Sequence, residues 1–209
     1  LWALAGALPL LGVLDRTLFL AARGEHYWTA IVILALAGGG GEAADGAFVP
    51  GMMWLWAALW FWAGVSKLNH HFPAVVGVML SNNPLVRFAW LRRRMYRDFP
   101  TDMGPSRLAT WMAHAGTLLE LSVPVVLMLG DGGAVTWVGL ALMLGLHGFI
   151  MSNVPMGVPL EWNVVMVYGG FYLFWAHAGV SAWALSPATA LVVGVMGLVL
   201  PLLGNLLPA

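Results

Sequence analysis

The sequence predicts an all-α fold, a polytopic transmembrane helical bundle of about six spans, with interfacial helices in the connection 69–107. Composition is the first reason. With 61% apolar residues, 9% charged residues and a mean hydropathy of +0.85, the chain has too little polar surface to cover a water-facing globule. The second is segment length, because several apolar runs reach the roughly 20 residues that a hydrocarbon core about 30 Å thick requires. The third is charge placement, since Arg87, Arg92, Arg93, Arg94, Arg97 and Arg107 all fall in 69–107, while the loops around Asp131 and Ser186 carry no Lys or Arg. The whole of 1–209 therefore reads as a single transmembrane domain.

The elements follow in order. Residues 1–14 form a short span or the end of one, and Asp15, Arg16, Arg23, Glu25 and His26 mark a polar connection after it. The apolar stretch 28–37 is too short to cross alone, and the Gly-rich, acidic stretch 38–46 reads as a loop. Better spans follow at about 48–68, 108–129, 134–152, 162–183 and 187–207. The positive-inside rule places 69–107 on the cytoplasmic side of a membrane, expected to be a bacterial inner membrane. Alternation then puts Arg16 and Arg23 on that side and Glu42, Asp45 and Asp131 on the other, a consistent pattern. Phe72, Leu80, Leu85, Phe88, Trp90 and Tyr96 give the basic connection the apolar load of helices lying in the headgroup plane. Arg92, Arg93, Arg94 and Arg97 are accordingly expected to meet lipid headgroups. The chain starts at Leu1 without an initiator methionine, which reads as a piece of something longer.

Several function classes are excluded or disfavoured. Zero cysteines rule out disulfides, thiolate metal sites and a c-type haem, and a net charge of zero argues against nucleic acid as a partner. Membrane lipids and other membrane protein subunits are the expected partners. No His or carboxylate pair within the predicted spans has the i, i+4 spacing of a helical chelate, so no metal site is assigned. His114, His147 and His177 lie on different spans and leave a bis-histidine haem open.

The polar residues inside or at the ends of spans are few: Lys67, His114, Glu120, His147, Asn153, Glu161, Asn163 and His177. A carboxylate in hydrocarbon is costly, so Glu120 must be protonated, paired or face a watery cavity. Lys67, the only lysine, is its natural partner by charge, although a lysine at a helix end also snorkels to the headgroups without any other role. His114 and Glu120 are six residues apart, about 120° around a helix, and do not share a metal-binding face. His147 and His177 read as hydrogen-bonded packing residues.

The string Trp62-Ala63-Gly64-Val65-Ser66-Lys67-Leu68-Asn69 resembles the Ala-Gly-x-x-Lys-Leu element of the HTTM domain, the domain of vitamin K-dependent gamma-carboxylase and its bacterial relatives. His114 to Ser122, with Glu120 before Leu121-Ser122, is similar to the family's acidic span, with His114 one residue closer to the acid. His147 with Asn153, Gly157 and Pro159 resembles its later His-containing span and loop. The HTTM-like region covers about 48–166, and the continuation Lys67-Leu68-Asn69-His70-His71 is closer to an uncharacterised bacterial multi-pass family. In the carboxylase the lysine of this element is the base acting with reduced vitamin K, and the preceding lysine of its Lys-Lys pair is Ser66 here. The carboxylase's large lumenal domain has no counterpart, so protein carboxylation is not implied.

Three expectations result. The first is a lipid- or quinone-accessible polar cavity in which Lys67 acts as base, Glu120 tunes it and His114 donates a hydrogen bond, with His147, Asn153 and Trp62 contacting the substrate. Quinone is the cofactor it suggests. The second is a non-catalytic accessory subunit of a larger membrane complex, whose small residues permit close helix contact. A proton-coupled transporter is a third.

Overall fold

The computed structural model describes residues 1–21, 23–38, 42–153 and 160–206, apart from the side chains of 42–46, 160 and 161. Eleven α-helices and one two-stranded hairpin are formed among these residues. Four helical segments are long and apolar enough to cross a membrane: Ala47–Ser66, Arg107–Leu129, Ala134–Met151 and Pro187–Leu206. They match four of the expected spans to within a few residues. The protein is a helical membrane bundle.

The apolar stretches read as short at 1–14 and 28–37 are short, and two other expectations need correction. The first element, α1 (Trp2–Leu14), and α3 (Gly24–Leu36) have 13 residues each, about 20 Å of helix, short of a bilayer core. Between them lies the single-turn α2 (Arg16–Ala21). The acidic stretch does not belong to a loop, because α4 (Glu42–Ser66) already starts at Glu42. Carboxylates and alanines suit the first turn of a helix, and this outweighs the glycines before them. The expected span 162–183 is shorter as well: α9 (Leu160–Phe171) continues into one π-helical turn, Tyr172–Ala176, and stops. Beyond it the chain turns, with Val180 N–H bonded to the His177 carbonyl and the Ser181 hydroxyl taking Trp183 N–H. The last span joins α10 (Pro187–Gly194) to α11 (Leu200–Leu206) through a second π-helical turn, Val195–Val199.

The chain divides into two compact units, 1–59 with 176–209, and 60–175. In the first, Ile33, Leu55 and Val193 form the centre of a core that α3, α4 and α10 share. Gly51 permits this approach, since a Cβ there would stand 2.6 Å from Ile33 Cγ2 and 2.8 Å from Thr189 Cγ2. Tryptophan N–H groups fasten the periphery: Trp28 Nε1 donates to the Ala5 carbonyl at 2.7 Å, and Trp54 Nε1 to the Ala182 carbonyl at 2.9 Å.

In the second unit the connection 69–107 is folded back on the bundle. It contains α5 (Phe72–Asn82), α6 (Ala89–Arg94) and an antiparallel hairpin of β1 (Tyr96–Asp98) and β2 (Asp102–Pro105), the one departure from an all-α fold among the described residues. Val76 and Leu80 of α5 pack with Met95 against Ala109 and Ala113 of α7 (Arg107–Leu129). Ser106 caps α7, its hydroxyl accepting Ala109 N–H at 3.2 Å. The tight turn through Gly132, at φ +85°, reverses the chain into α8 (Ala134–Met151), which packs along α7.

Asn83 ties this connection to the end of α8. Its amide nitrogen donates to Ser152 Oγ at 2.6 Å and Asn153 Oδ1 at 3.2 Å, and its side-chain oxygen accepts Leu85 N–H at 2.8 Å. Asn83 and Asn153 are buried, so Asn83→Ala strands the Asn153 side-chain oxygen and removes the bonds to Ser152 and Leu85. The variant is expected to lose about 1–3 kcal/mol of stability. Asn82→Ala removes only one exposed bond to the Val78 carbonyl and is expected to stay within about 0.5 kcal/mol of wild type. Thermal unfolding of the two detergent-solubilised variants checks this.

Candidate functional site

Polar residues from four helices converge in the second unit. The last two turns of α4 present Trp60, Gly64 and Lys67 at i, i+4 and i+7, on one helical face. Lys67 lies in the closing turn, its N–H bonded to the Gly64 carbonyl at 3.0 Å. Asn69 then joins α4 to α5: its amide donates to the Ser66 carbonyl, and its oxygen accepts His71 and Phe72 N–H at 2.9 and 3.0 Å. This junction fixes the stem from which the lysine side chain reaches α7. Phe72, the first residue of α5, sits with its ring centroid 5.7 Å from the ammonium.

On α7 the buried residues Ala113, Thr117, Glu120, Pro124 and Leu127 recur at helical spacing and define the face turned into the protein. Glu120 is its one charged member. Lys67 Nζ donates to Glu120 Oε1 in a direct ion pair, with side-chain exposures of 27% for the lysine and 5% for the acid. The pair therefore opens outward on the lysine side only. Gly64 lets the backbones approach, because a Cβ at that position would lie 3.2 Å from Glu120 Cβ and 3.0 Å from Leu121 Cδ2. Pro124 supplies no N–H to the Glu120 carbonyl, the group that it would otherwise bond.

The third contributor is His147, on the buried stripe Thr136, Leu140, Met143 and His147 of α8. Its Nδ1 is 2.7 Å from Asn163 Oδ1 on α9, and its ring lies 5.2 Å from that of Trp60, centroid to centroid. The amide oxygen can only accept, so Nδ1 carries the proton and Nε2 keeps a lone pair. Trp60 thus links this ring to the α4 face that carries Gly64 and Lys67. Two buried acceptors remain without a hydrogen-bond partner among the described residues, Glu120 Oε2 and His147 Nε2.

The structure thus brings together Lys67 and Glu120, as charge suggested, and adds His147. It does not bring His114 to them. His114 is exposed, on the side of α7 that also shows Trp111 and Leu118, because its six-residue offset from Glu120 turns it off the buried face. Asn153 is also elsewhere, wholly buried, with its amide on the Phe149 carbonyl at 2.7 Å and its oxygen on Asn83. Trp62 is half-buried and meets Phe61 edge to face at 5.5 Å, whereas Trp60 takes the place against His147. Trp60 was the residue that sequence reasoning passed over; its i, i+4, i+7 relation to Gly64 and Lys67 was the available signal. Asn163 was noted as a polar span-end residue without a role, and it orients the histidine. Gly157, Pro159 and the Glu161 side chain lie outside the described residues.

The arginines expected at headgroups differ among themselves. Arg92 is tied inward, donating to the Val86 carbonyl at 2.7 Å and the Asn83 carbonyl at 3.1 Å. Arg93 stands over Phe99 and Arg94 over Trp90, at 5.9 and 5.6 Å from the ring centroids. Arg97 Nη1 is 3.6 Å from Asp102 Oδ2 across the hairpin, and both side chains are exposed. No group of three or more His or carboxylate side chains suited to a metal ion occurs among the described residues.

Over residues 1–209 the chain matches the family described as "Transmembrane protein of unknown function (DUF3556)", and it belongs to that family. The match is to this family and not to the HTTM domain that the sequence motifs resemble. No curated protein and no solved structure matches the chain.

The ion pair makes a clear prediction for stability. Lys67→Ala leaves Glu120 buried beside an empty site and is expected to cost about 3–5 kcal/mol, as removal of one partner of a buried pair does. Replacing both, Lys67→Met with Glu120→Leu, is expected to recover most of that loss, since a matched apolar pair needs no compensation. Unfolding of Lys67→Met, Glu120→Leu and their double variant against wild type forms a double-mutant cycle, and a Lys67→Ala loss below about 0.5 kcal/mol rejects the pairing.

Proposed function

We propose that this DUF3556 member binds a lipophilic, hydrogen-bonding molecule of the quinone and quinol class at the cluster of Lys67, Glu120, His147 and Trp60. One observation carries the reading: two buried acceptors, Glu120 Oε2 and His147 Nε2, have no hydrogen-bond partner among the described residues, beside an ammonium with donors to spare. Such acceptors suit a ligand hydroxyl, and the free donors of Lys67 suit a ligand carbonyl or phenolate oxygen. Leaving the acceptors empty carries a desolvation cost that a ligand O–H relieves. The partial exposure of Lys67 supplies the side of entry.

In this reading Glu120 Oε2 and His147 Nε2 accept hydrogen bonds from ligand hydroxyls, Lys67 donates to a ligand oxygen, and Trp60 walls the site. The HTTM-like resemblance of the segment around Lys67 agrees with a base at that position. The connection 69–107, with its arginines, then faces the cytoplasm from a bacterial inner membrane. His114 has no part in the site.

A second reading is favoured by a separate observation. The apolar window in Pro187–Leu206 is only 11% buried, so this helix leaves nearly all of its apolar surface to lipid or to another protein. A non-catalytic subunit of a membrane complex would use it for packing.

Native mass spectrometry of the mildly solubilised protein separates the two. The binding reading expects a lipophilic small molecule in wild type and at least tenfold less of it in the folded fractions of Glu120→Gln and His147→Ala. A ligand-free chain with a stoichiometric protein partner in wild type and both variants contradicts it and supports the subunit.

A further inference from the structure

A second site lies at the start of α7, separate from the Lys67 cluster and independent of the reading given to it. There Arg97, Pro105, Arg107, Thr110 and Trp111 line an open cleft of about 320 Å³. Two guanidinium groups face one depression from two elements, β1 and the first turn of α7. Among the described residues the Arg107 side chain makes neither a hydrogen bond nor an ion pair. Arg97 is held only by the 3.6 Å approach to Asp102, longer than a hydrogen bond, so its donors stay available. Thr110 spends its hydroxyl proton on the Ser106 carbonyl and adds no competing charge. The cleft carries two positive charges against one, which suits an anion with several oxygens. Paired arginines bind a phosphate through parallel N–H···O bonds.

The surroundings indicate which phosphate. Trp111 is 74% exposed one turn after Arg107, and Leu118 and Val125, at 66% and 52%, continue its line down α7 at seven-residue steps. Positions seven apart fall within about 20° of one another on an α-helix, so these residues form one apolar stripe that begins at the cleft. A basic cleft with an indole at its lip, followed by an apolar stripe along a spanning helix, has the layout of an anionic lipid: phosphate above, acyl chain below. We propose that Arg97, Arg107 and Trp111 bind the phosphate of an anionic phospholipid, whose acyl chain lies on Leu118 and Val125. This moves headgroup contact from the Arg92–Arg94 run, whose Arg92 is occupied by backbone carbonyls, to a site of two arginines from different elements.

The experiment uses the full chain in nanodiscs of phosphatidylcholine with a minority of phosphatidylglycerol, released for native mass spectrometry to count retained phosphatidylglycerol. The double variant Arg97→Gln with Arg107→Gln is expected to retain roughly 30-fold less, about fivefold per arginine. Arg16→Gln with Arg23→Gln removes the same charge elsewhere and is expected to retain as much as wild type. Trp111→Ala, which leaves every charge in place, is expected to lower retention severalfold. Equal losses in both arginine pairs would show attraction by net charge alone and overturn the site. Displacement of the lipid by millimolar inorganic phosphate would show a soluble-phosphate site and overturn the lipid assignment, as would the absence of retained phosphatidylglycerol from a wild-type sample with a normal thermal midpoint.

Discussion

A carboxylate cannot be placed in hydrocarbon without compensation, and the second unit of this protein is organised around that constraint. Glu120 is the one acid on the buried face of α7, and Lys67 is the one lysine in the chain. Their pairing requires the end of α4 to meet α7, which Gly64 permits and the Asn69 junction holds in place. The packing of α5 on α7, and of α8 on both α7 and α9, supplies the rest of the enclosure. His147 and Asn163 complete a polar seam that runs through helices otherwise built from Leu, Val, Ala and Met. A wholly apolar seam would be cheaper to bury than these ionisable groups.

The two sites divide the chemistry by depth. At Lys67 and Glu120 the groups are few, close and mostly withdrawn from the surface, a setting in which one proton or one hydroxyl matters. At Arg97 and Arg107 they are exposed and tied to a two-stranded hairpin, a setting for electrostatic contact with a surface. The hairpin has a structural part in this: it hangs Arg97 beside Arg107 although ten residues separate them in sequence. Asn83 and Ser106 keep that assembly on the bundle by bonding across to α8 and to the Arg94 carbonyl. The basic connection is thus packed onto α7 through Val76, Leu80 and Met95, not merely draped over the end of the bundle.

Much of the fold was legible in the sequence because the signal for a spanning helix is long and additive. Four spans agree closely, since about 20 apolar residues leave little freedom for the ends. Errors arose where a few residues decide. Carboxylates and alanines at 42–45 extend α4 upstream of the span, although glycines and acids together look like a loop. The stretch 162–183 is mostly apolar, yet the chain turns after Ala176, where the His177 carbonyl takes Val180 N–H and the Ser181 hydroxyl takes Trp183 N–H in place of helical bonds. The charge partners Lys67 and Glu120 were legible because a membrane offers an isolated charge so few alternatives. His114 was misplaced beside them by motif resemblance, although its 120° offset from Glu120 already argued against a common face. Trp60 and Asn163 were not assigned because an indole and an amide in a membrane helix have many ordinary uses, and only the fold shows them meeting His147.

The central claim is that Lys67 and Glu120 stand against each other in the membrane. The chain has no cysteine, so a Lys67→Cys and Glu120→Cys double variant can be treated with a short bis-thiol-reactive linker in native membranes and analysed by peptide mass spectrometry. The account predicts an efficient intramolecular cross-link between positions 67 and 120, and little or none between Lys67→Cys and a cysteine at Leu118, which lies on the opposite, exposed side of α7. Equal cross-linking to both positions, or none to either with both thiols reactive, would contradict it.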